Sequence, residues 1–399
     1  MHDTHSGGTN GVLNTNLVIL FSVTLMAVMG VSIVTPAHPM IVRDLGISTS
    51  QIGLLITVFA FPGILLTPVL GILADRLGRR KILVPSLFVF GVFGSACAFT
   101  KDFGLLLVLR FLQGAGAAAL GSINLTIIGD LYSGRERATA MGYNASVLSI
   151  GTASYPAIGG AVAVLGWQYP FLFSLIAIPI GILVIMRVKN PEPVSTQEFG
   201  EYMSHTLRLI STREMRGLFL ASLSCFIMIY GPYLTYFPFL AERHISHSPV
   251  VIGLFMSFTS VSTALTSLFL GRLARRFTER TLIKTAFMLY AATMLLLAST
   301  GSVPLIAAAL VLAGIAGGIS IPAVQSVIAG LAPIEQRGAF MSVNGMVIRM
   351  GQAFGPLVAA FAYGVWGLNG TFHAGSALSL AVMGLLIVLI PGSPARESA

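Results

Sequence analysis

The chain has 399 residues, of which 55% are hydrophobic and only 9% are charged, and its mean hydropathy is +0.88. A soluble domain carries about a quarter charged residues, so this composition excludes an ordinary soluble protein and indicates an integral membrane protein. The formal net charge of +9 at pH 7 could also indicate a protein that binds nucleic acid. The positions of the basic residues along the chain distinguish these two possibilities.

Apolar stretches of roughly 20 residues, each long enough to cross a ~30 Å hydrocarbon core as a helix, recur along the whole sequence. Strands of a β-barrel would be shorter and would alternate between apolar and polar residues. The predicted fold class is therefore an all-α membrane protein with twelve spans. The predicted spans are residues 17–40, 51–73, 82–100, 103–130, 138–164, 169–188, 215–240, 249–273, 281–300, 303–332, 338–364 and 370–391.

Lysine and arginine are divided unequally between the two sides that these spans define. Most lie in loops and tails on the side of the N-terminus, whereas Arg43, Lys101 and Arg243 lie on the other side, and Arg110 and Arg349 lie within spans. The positive-inside rule then places both termini in the cytoplasm of a cell whose membrane the chain crosses repeatedly. The basic excess follows from this topology, so no nucleic-acid partner is expected.

The sequence repeats itself at an offset of about 200 residues. Residues 52–54 and 252–254 both read Ile-Gly-Leu, and GILADR at 71–76 corresponds to GRLARR at 271–276. Two parallel halves related by an axis along the membrane normal are typical of transporters that rock about a central site. A duplicated structural bundle without transport is the alternative. The predicted domains are six-helix bundles at 1–188 and 215–399, joined by a cytoplasmic linker at 189–214.

A burst of charge, GILADRLGRRKIL, follows the second span at residues 71–83. We expect Asp75 to cap the start of the eleventh span, near Gly338, because the N-terminus of a helix carries partial positive charge. We also expect Arg79 or Arg80 to pair with Asp130 at the end of the fourth span. A loop that only sets topology would explain the arginines, but neither the aspartate nor the glycine spacing.

This stretch resembles the signature loop of the major facilitator superfamily, Gly-x-x-x-Asp-Arg-x-Gly-Arg-Arg/Lys. The resemblance implies two bundles around a cavity that opens alternately to either side, and a chain that works as a monomer. The charge cluster itself predicts a cytoplasmic gate that latches the two halves shut at this loop. The second half has Arg275 where the pattern has aspartate, so that gate is expected to be one-sided. The matching residues are Gly71, Asp75, Arg76, Gly78, Arg79 and Arg80.

A second stretch, RFLQGAGAA from Arg110, is similar to the superfamily's fourth-helix motif, including Gln113. The resemblance implies a role for Arg110 and Gln113 in coupling or conformational exchange. An internally paired arginine that binds backbone carbonyls is the alternative, since charge within a membrane is costly and needs partners.

The fifth span resembles the pattern Gly-x8-Gly-x3-Gly-Pro-x2-Gly-Gly of drug:proton antiporters, twelve-helix exporters of lipophilic compounds, except that Tyr155 stands at one glycine position. That resemblance implies proton-coupled export, and a bend at the proline. Ordinary close packing of helices through small residues is the alternative for any single glycine. The positions concerned are Gly142, Gly151, Pro156, Gly159 and Gly160, with the repeat partners Gly355 and Pro356.

All fourteen carboxylates are predicted in tails, loops or span ends, whereas Arg349 lies ~16 Å into its span. If Arg349 faces the cavity, charge complementarity favours neutral or anionic substrates; a packed arginine is the alternative. The predicted substrate site also includes aromatic residues around the prolines of span seven, for which ordinary tyrosines of the membrane interface are the alternative. It further includes polar residues deep in the spans, for which hydrogen bonding between helices is the alternative. They are Tyr230, Tyr233, Tyr236, Phe237, Asn124, Asn144, Gln325 and Asn344.

No nucleotide-binding motif, nucleophile arrangement or metal-ligand spacing is found in the sequence, so no enzyme activity, cofactor or metal is expected. The predicted function is export of small amphiphilic molecules, neutral or anionic, in exchange for protons. An importer or uniporter of a polar metabolite is the first alternative. A membrane scaffold or sensor is the second.

Overall fold

The computed structural model describes residues 14–188, 212–331 and 337–390, so the predicted linker lies almost entirely outside the described residues. Most of the described chain is helical. Its helices, numbered in chain order, are α1 (Thr15–Leu45), α2 (Gln51–Leu77), α3 (Arg79–Phe99), α4 (Phe103–Leu131), α5 (Gly134–Ala163), α6 (Tyr169–Arg187), α7 (Arg213–His244), α8 (Pro249–Arg276), α9 (Glu279–Ser299) and α10 (Val303–Leu331).

The last helical stretch, Arg337–Leu389, contains one break. Gly367 has φ 69° and ψ −168°, a conformation that disfavours side-chain-bearing residues. Residues 337–366 therefore form α11 and residues 368–389 form α12. The described residues thus contain twelve helices and no strand, which confirms the predicted all-α class.

Ten helical segments of the described chain are long and apolar enough to cross a membrane, and one of them, Phe340–Leu389, comprises both α11 and α12. The helix outside this set is α5, Gly134–Ala163, whose first turns contain Arg135, Glu136 and Arg137 and whose later residues are mostly small or polar. Because α5 packs extensively against α8, it is a spanning helix by position despite its lower hydropathy.

The N-terminal half, α1–α6, and the C-terminal half, α7–α12, touch at one end of the molecule. We call this the far end; it carries the loop after α1 and the loop after α7. Across it, Thr57 Oγ1 donates to the carbonyl oxygen of Ala353 at 2.8 Å, and Ser260 Oγ donates to that of Thr152 at 3.0 Å. Thr57 lies in the second turn of α2, whereas Thr152, Ser260 and Ala353 lie near the middle of their helices, so contact extends from the far end to mid-depth.

The other end, which we call the basic end, carries the predicted gate loop and the end of α8. Glycines near this end of α2, α5, α8 and α11 report the spacing of the two halves. A Cβ added to Gly71, Gly142, Gly271 or Gly345 would meet no other atom of the described chain within 4 Å. The halves are therefore separated at the basic end, and the molecule is open there.

The predicted interruption of span seven is present. Residues Ile229–Tyr236 form a π-helical segment that contains Pro232, whose missing N–H removes one helical hydrogen bond. Within this segment the hydroxyl of Thr235 donates to the Tyr230 carbonyl at 2.7 Å. Segments of this kind occur often at functional sites.

Candidate functional site

The gate loop at the basic end forms an ion-pair cluster, which we call the gate cluster: Asp75, Arg79 and Asp130. The guanidinium of Arg79 pairs with Asp130 at the end of α4 and lies 3.4 Å from an oxygen of Asp75. It also donates to the Thr126 carbonyl at 3.0 Å. The expected pairing with Asp130 is therefore made by Arg79, within the N-terminal half.

The rest of the loop orients this cluster. Gly78 joins α2 to α3 with φ 105°, a conformation that favours glycine. Arg80 donates to the carbonyl oxygens of Ile185 and Val188 at 3.3 Å each, and so fixes the start of α3 to the end of α6. Arg76 points away from these contacts and is exposed.

The expected cap of α11 by Asp75 falls on residues that the structure does not describe: residues 332–336, and the side chains of residues 337–339. The Asp75 side chain is 46% exposed, as its position beside the open gap at the basic end requires. The cap stays a prediction, and so does the gating role of the whole loop.

Arg110 of α4 is buried, with 2% of its surface exposed, and it joins four helices. Its guanidinium donates to the carbonyl oxygens of Gly30 in α1 (2.8 Å) and Leu55 in α2 (3.3 Å). It also lies 4.4 Å from the ring centroid of Phe59 and 5.7 Å from that of Phe171 in α6. Such contacts compensate the lost hydration of a buried cation.

Gln113 completes this arrangement. Its Oε1 accepts from Arg110 at 2.7 Å and its Nε2 donates to Ser174 Oγ of α6 at 3.0 Å. These contacts agree with the alternative that Arg110 is paired internally with backbone carbonyls. A role of Arg110 and Gln113 in conformational exchange remains a prediction.

The exporter-like motif of α5 lies in the far-end contact between the halves. A Cβ on Gly159 would overlap the carbonyl of Ile33, and one on Gly160 would overlap that of Pro249 in α8. The carbonyl of Pro156 in turn occupies the space beside Gly253. The motif thus brings the backbones of α5 and α8 into contact, and α5 continues as a helix through Pro156.

The remaining motif positions also mark close helix contacts. A Cβ on Gly151 would lie 2.8 Å from the Leu25 side chain of α1. In the C-terminal half, Gly355 faces the backbone of Gly231 in the π-helical segment, and Pro356 faces Gly53 at the start of α2. Of these three contacts, the one between Pro356 and Gly53 joins the two halves, and the other two each lie within one half.

An ion pair across the far end was not predicted from the sequence. Arg43 at the end of α1 pairs with Glu242 at the end of α7, and His247 Nδ1 lies 3.6 Å from the same carboxylate oxygen. The two partners are 199 residues apart, and each looks like an ordinary loop charge. No motif in the sequence marks them as a pair.

Arg349 lies between the two halves at mid-depth. It is partly buried, and its side chain borders Gly63 of α2, where a Cβ would come within 3.1 Å of Cδ. It donates to Gln352 at 3.2 Å, and Gln352 donates to the Tyr230 hydroxyl of α7 at 3.2 Å. We call these three residues the Arg349 chain; Gln352 was not among the predicted site residues.

No carboxylate of the described chain pairs with Arg349. The described carboxylates all lie at helix ends or in loops, as at Asp102, Asp130 and Glu279. Near mid-depth the fixed charge is therefore positive, in agreement with the expectation from the sequence.

In both halves the predicted asparagines form buried hydrogen bonds with a hydroxyl side chain of the first helix of that half. In the N-terminal half Thr24 donates to Asn144 at 2.6 Å, and Asn124 donates to Thr24 at 2.7 Å. In the C-terminal half Ser222 donates to Asn344, also at 2.6 Å. These bonds tie α1 to α4 and α5, and α7 to α11, which matches the alternative of hydrogen bonding between helices.

Gln325 differs from the asparagines. It is partly buried and lines a small recess together with Ser222, Cys225, Ser320 and Asn344. No hydrogen bond within the described residues holds its side-chain amide, so it keeps donors and an acceptor for a ligand or water.

The aromatic residues of α7 separate into two groups. Tyr230 takes part in the Arg349 chain, whereas Tyr233 donates to the Met256 carbonyl at 3.0 Å. Tyr236 and Phe237 are fully buried, and Tyr236 stacks on Tyr363 of α11 with centroids 5.1 Å apart. In this open form the last three pack the far end, and a substrate contact for them stays a prediction.

Sequence comparisons place this arrangement among known proteins. The family described as Major Facilitator Superfamily matches residues 20–248 and 241–399. The "Quinolone resistance protein NorA" of Staphylococcus aureus (strain MRSA252) is 25% identical over 386 residues, which cover 95% of this chain and 97% of that protein. "Multidrug resistance protein 2" of Bacillus subtilis (strain 168) is 26% identical over 279 residues, 68% of this chain and 69% of that one.

Solved structures share the fold. A bacterial homolog of the human lysosomal transporter Spinster, in an inward-facing and unoccupied conformation, has TM-score 0.78 at 16% identity, with 96% of each chain covered. A POT family transporter in complex with 5-aminolevulinic acid has TM-score 0.80 at 13% identity, with 97% of each chain covered. The resemblance drawn from the gate loop is confirmed, and so is a fold of two helical bundles in a multi-pass protein of the cytoplasmic membrane.

Proposed function

Because the chain belongs to the Major Facilitator Superfamily and is therefore a membrane transporter, we propose that it exports small amphiphilic molecules, neutral or anionic, by alternating access. The names of the relatives, quinolone resistance and multidrug resistance, support export of compounds of this kind. The preference for neutral or anionic substrates rests on the Arg349 chain, which lies between the halves and has no carboxylate partner among the described residues.

The orientation follows from the charges. Arginines are concentrated at the basic end, so the positive-inside rule assigns that end, and both termini, to the cytoplasm. The structure then represents the inward-open state, in which substrate enters from the cytoplasm or the inner leaflet. The domain division 1–188, 189–214 and 215–399 belongs to this proposal, with each bundle moving largely as a unit about the mid-depth contacts.

Arg349 is the proposed recognition group. A guanidinium that is partly buried loses hydration, and a carboxylate or another acidic group restores its interactions through charge-assisted hydrogen bonds. Gln352 and Tyr230 hold one side of Arg349, and Gln325 on α10 offers a further amide. The apolar remainder of the substrate would pack on the aromatic residues that become accessible as the far end opens.

The two ends supply the gates. Closure of the basic end would bring the start of α11 toward Asp75, whose carboxylate is held in place by Arg79. Opening of the far end would separate the glycine contacts of α5 and α8 and break the Arg43–Glu242 pair. A monomer contains both gates, so no partner chain is required.

We propose protons as the coupling ion because of the resemblance to drug:proton antiporters. The described residues have no carboxylate at mid-depth, so the proposed proton carriers are Asp75 and Asp130 of the gate cluster, and His38 and His373 near the far end. Arg110 and Gln113, which join α1, α2 and α6 to α4, would transmit the rearrangement within the N-terminal half.

Everted membrane vesicles test the proposal. After respiration has acidified the lumen, an anionic or neutral amphiphilic dye should accumulate inside and should release protons from the lumen as it does so. Vesicles from cells that express Arg349→Ala should accumulate the anionic dye more slowly. Dye uptake that is unaffected by a protonophore would contradict proton antiport, and uptake absent for every amphiphile would contradict export of this class.

A uniporter or importer of a polar acid is the second candidate, favoured by the same arginine and by the absence of a carboxylate from the mid-depth region of the described chain. Such a protein would equilibrate its substrate across vesicles without proton release. The proton measurement therefore separates the two candidates.

A further inference from the structure

A continuous apolar stripe runs along the exposed face of α8. Its members recur every three or four residues and so share one side of the helix. The rest of the helix surface makes the contacts of α8: Ser260 donates to the Thr152 carbonyl of α5 at 3.0 Å, and Ser262 donates to the Val311 carbonyl of α10 at 2.9 Å. The stripe consists of Leu254, Phe258, Val261, Leu265 and Leu268, each at least 46% exposed.

This stripe meets lipid. An exposed apolar face on a membrane-spanning helix, turned away from the neighbouring helices, lies against acyl chains, which are as apolar as leucine. Leu268 is the most exposed member, at 79%, and it lies two turns from the end of α8 at Arg276. The lipid-facing stripe therefore leads directly to the basic end of the helix.

Three arginines stand where the stripe ends. Arg272, Arg275 and Arg276 border an open cleft of about 630 Å³, whose other lining residues are Leu273, Phe269 and Phe277. The Arg272 guanidinium lies 5.1 Å from the ring centroid of Phe269. The cleft thus combines cationic groups with apolar and aromatic surface that continues the stripe.

These arginines have no ion-pair partner among the described residues. In the equivalent loop of the N-terminal half, Asp75 and Asp130 both lie near Arg79. At the repeat position of Asp75 the C-terminal half has Arg275, which removes a carboxylate and adds a cation. Among the described residues, the C-terminal loop therefore has no carboxylate paired with these three arginines.

We propose that the cleft binds the headgroup of an anionic phospholipid, with the phosphate among Arg272, Arg275 and Arg276 and an acyl chain along the α8 stripe. Arginine matches phosphate oxygens through paired N–H donors. The cleft also lies at the depth where headgroups occur, at the end of an apolar helix. Basic pockets of this kind on the cytoplasmic side of membrane proteins suit anionic headgroups.

A phospholipid fits better than a soluble phosphate compound because half of the cleft is apolar. Phe269 and Phe277 are 48% and 53% exposed, and a soluble anion would leave both rings unused. A lipid covers them while its phosphate meets the guanidiniums. This inference goes beyond transport and requires only that the chain lies in a membrane.

Native mass spectrometry of the purified full-length protein in detergent tests it. Phosphatidylglycerol and phosphatidylcholine with identical acyl chains are added separately, without any transport substrate, and bound lipids are counted. We expect phosphatidylglycerol to remain bound at concentrations roughly tenfold below those that phosphatidylcholine needs, because clustered arginines near the membrane surface attract an anionic headgroup more strongly than a zwitterionic one. An excess of inorganic phosphate in the phosphatidylglycerol sample should not displace the lipid.

The triple variant R272Q/R275Q/R276Q should lose the preference for phosphatidylglycerol. Its control is R187Q/R213Q/R216Q, which removes three other exposed arginines and should keep that preference. Helix content and elution volume establish that each variant is folded; if the first is not recovered, R272Q/R276Q replaces it.

Three results would overturn the proposal: an unchanged preference in the cleft variant, an equal loss in the control, or full displacement of the lipid by phosphate. The last result would assign the cleft to a soluble anion. Because no substrate is present, failure here leaves the proposed function untouched, and failure of transport leaves this result untouched.

Discussion

Arg43 and Glu242 form an ion pair between the far-end termini of α1 and α7, and so join the two halves on the side where they are in contact. Glu242 is the more enclosed partner, with 16% of its side chain exposed against 54% for Arg43. His247 adds a third group 3.6 Å from the carboxylate. The pair can form only while the far end is closed.

We predict that Glu242→Gln shifts the protein toward the outward-open state. An ion pair with partly exposed partners contributes about 0.2–1 kcal/mol, which corresponds to a population change of up to about fivefold. Spin labels at residues 49 and 246 should report a larger fraction of long distances by pulsed electron resonance. Arg243→Gln, on the same turn, should leave the distribution unchanged, and equal shifts in both variants would contradict a specific role of the pair.

The glycines of α8 provide a matched pair for the far-end seal. A Cβ at Gly253 would overlap the carbonyl of Pro156, whereas one at Gly271 meets nothing of the described chain within 4 Å. Gly253→Ala should therefore destabilise the closed far end by about 1–3 kcal/mol, as overpacking does. Gly271→Ala should be neutral or slightly stabilising, because alanine is the better helix former.

Thermal unfolding in detergent, followed by the loss of helical circular dichroism, measures both glycine variants. The midpoint of Gly253→Ala should fall below that of the wild type, and the midpoint of Gly271→Ala should not. A lower midpoint for Gly271→Ala alone would show that the halves approach each other at the basic end more closely than the structure indicates.

Arg349 should discriminate substrates by charge. We expect Arg349→Ala to slow export of an anionic dye by about tenfold or more, since a hydrogen bond to a charged group contributes about 1.5–3 kcal/mol. A neutral dye of similar size should be slowed much less. Arg349→Lys should restore part of the anionic transport, because it returns the charge without the planar donors.

Initial rates in everted vesicles, normalised to the amount of protein, supply this comparison. Equal losses for both dyes would assign Arg349 to packing between α2 and α11. Faster export of the anionic dye by Arg349→Ala would contradict recognition by charge complementarity.

Arg110 should be intolerant even of lysine. Lysine lacks the fork that reaches the carbonyls of Gly30 and Leu55 together with Gln113, and each buried group left without a partner costs about 1–3 kcal/mol. Arg110→Lys should lower both the thermal midpoint and the transport rate. Lys101→Arg, at the start of the same helix and exposed, serves as the control. Normal transport by a stable Arg110→Lys would contradict the proposed part in conformational exchange.

Local motifs and the repeat made much of the fold predictable. The offset of 200 residues predicted the two halves because duplication preserves the positions of glycines and prolines. The pairing of Arg79 with Asp130 was also within reach, since both lie at helix ends on one side of the membrane. The stretch between polar breaks at 138–164 predicted a span where the structure has α5, although the small and polar residues of this helix exclude it from the helices that are apolar enough by composition.

Contacts between segments that are distant along the chain could not be predicted from the sequence. Nothing in the residues around Arg43 indicates that Glu242 is opposite, because exposed loop charges follow no periodicity. The carbonyl partners of Arg110 were likewise hidden, since every residue has a carbonyl and only packing decides which one is near. The aromatic set of α7 was treated as one group, whereas the π-helical segment turns Tyr230 toward Arg349 and buries Tyr236.

The far-end seal includes main-chain contacts: the carbonyls of Pro156 and Pro249 lie against Gly253 and Gly160 of the facing helices. Main-chain atoms are the same whatever side chains surround them. Side chains elsewhere in the two halves can therefore be exchanged during evolution without refitting these contacts. A transporter built in this way can alter the lining of its interior while it keeps an unaltered barrier against leakage.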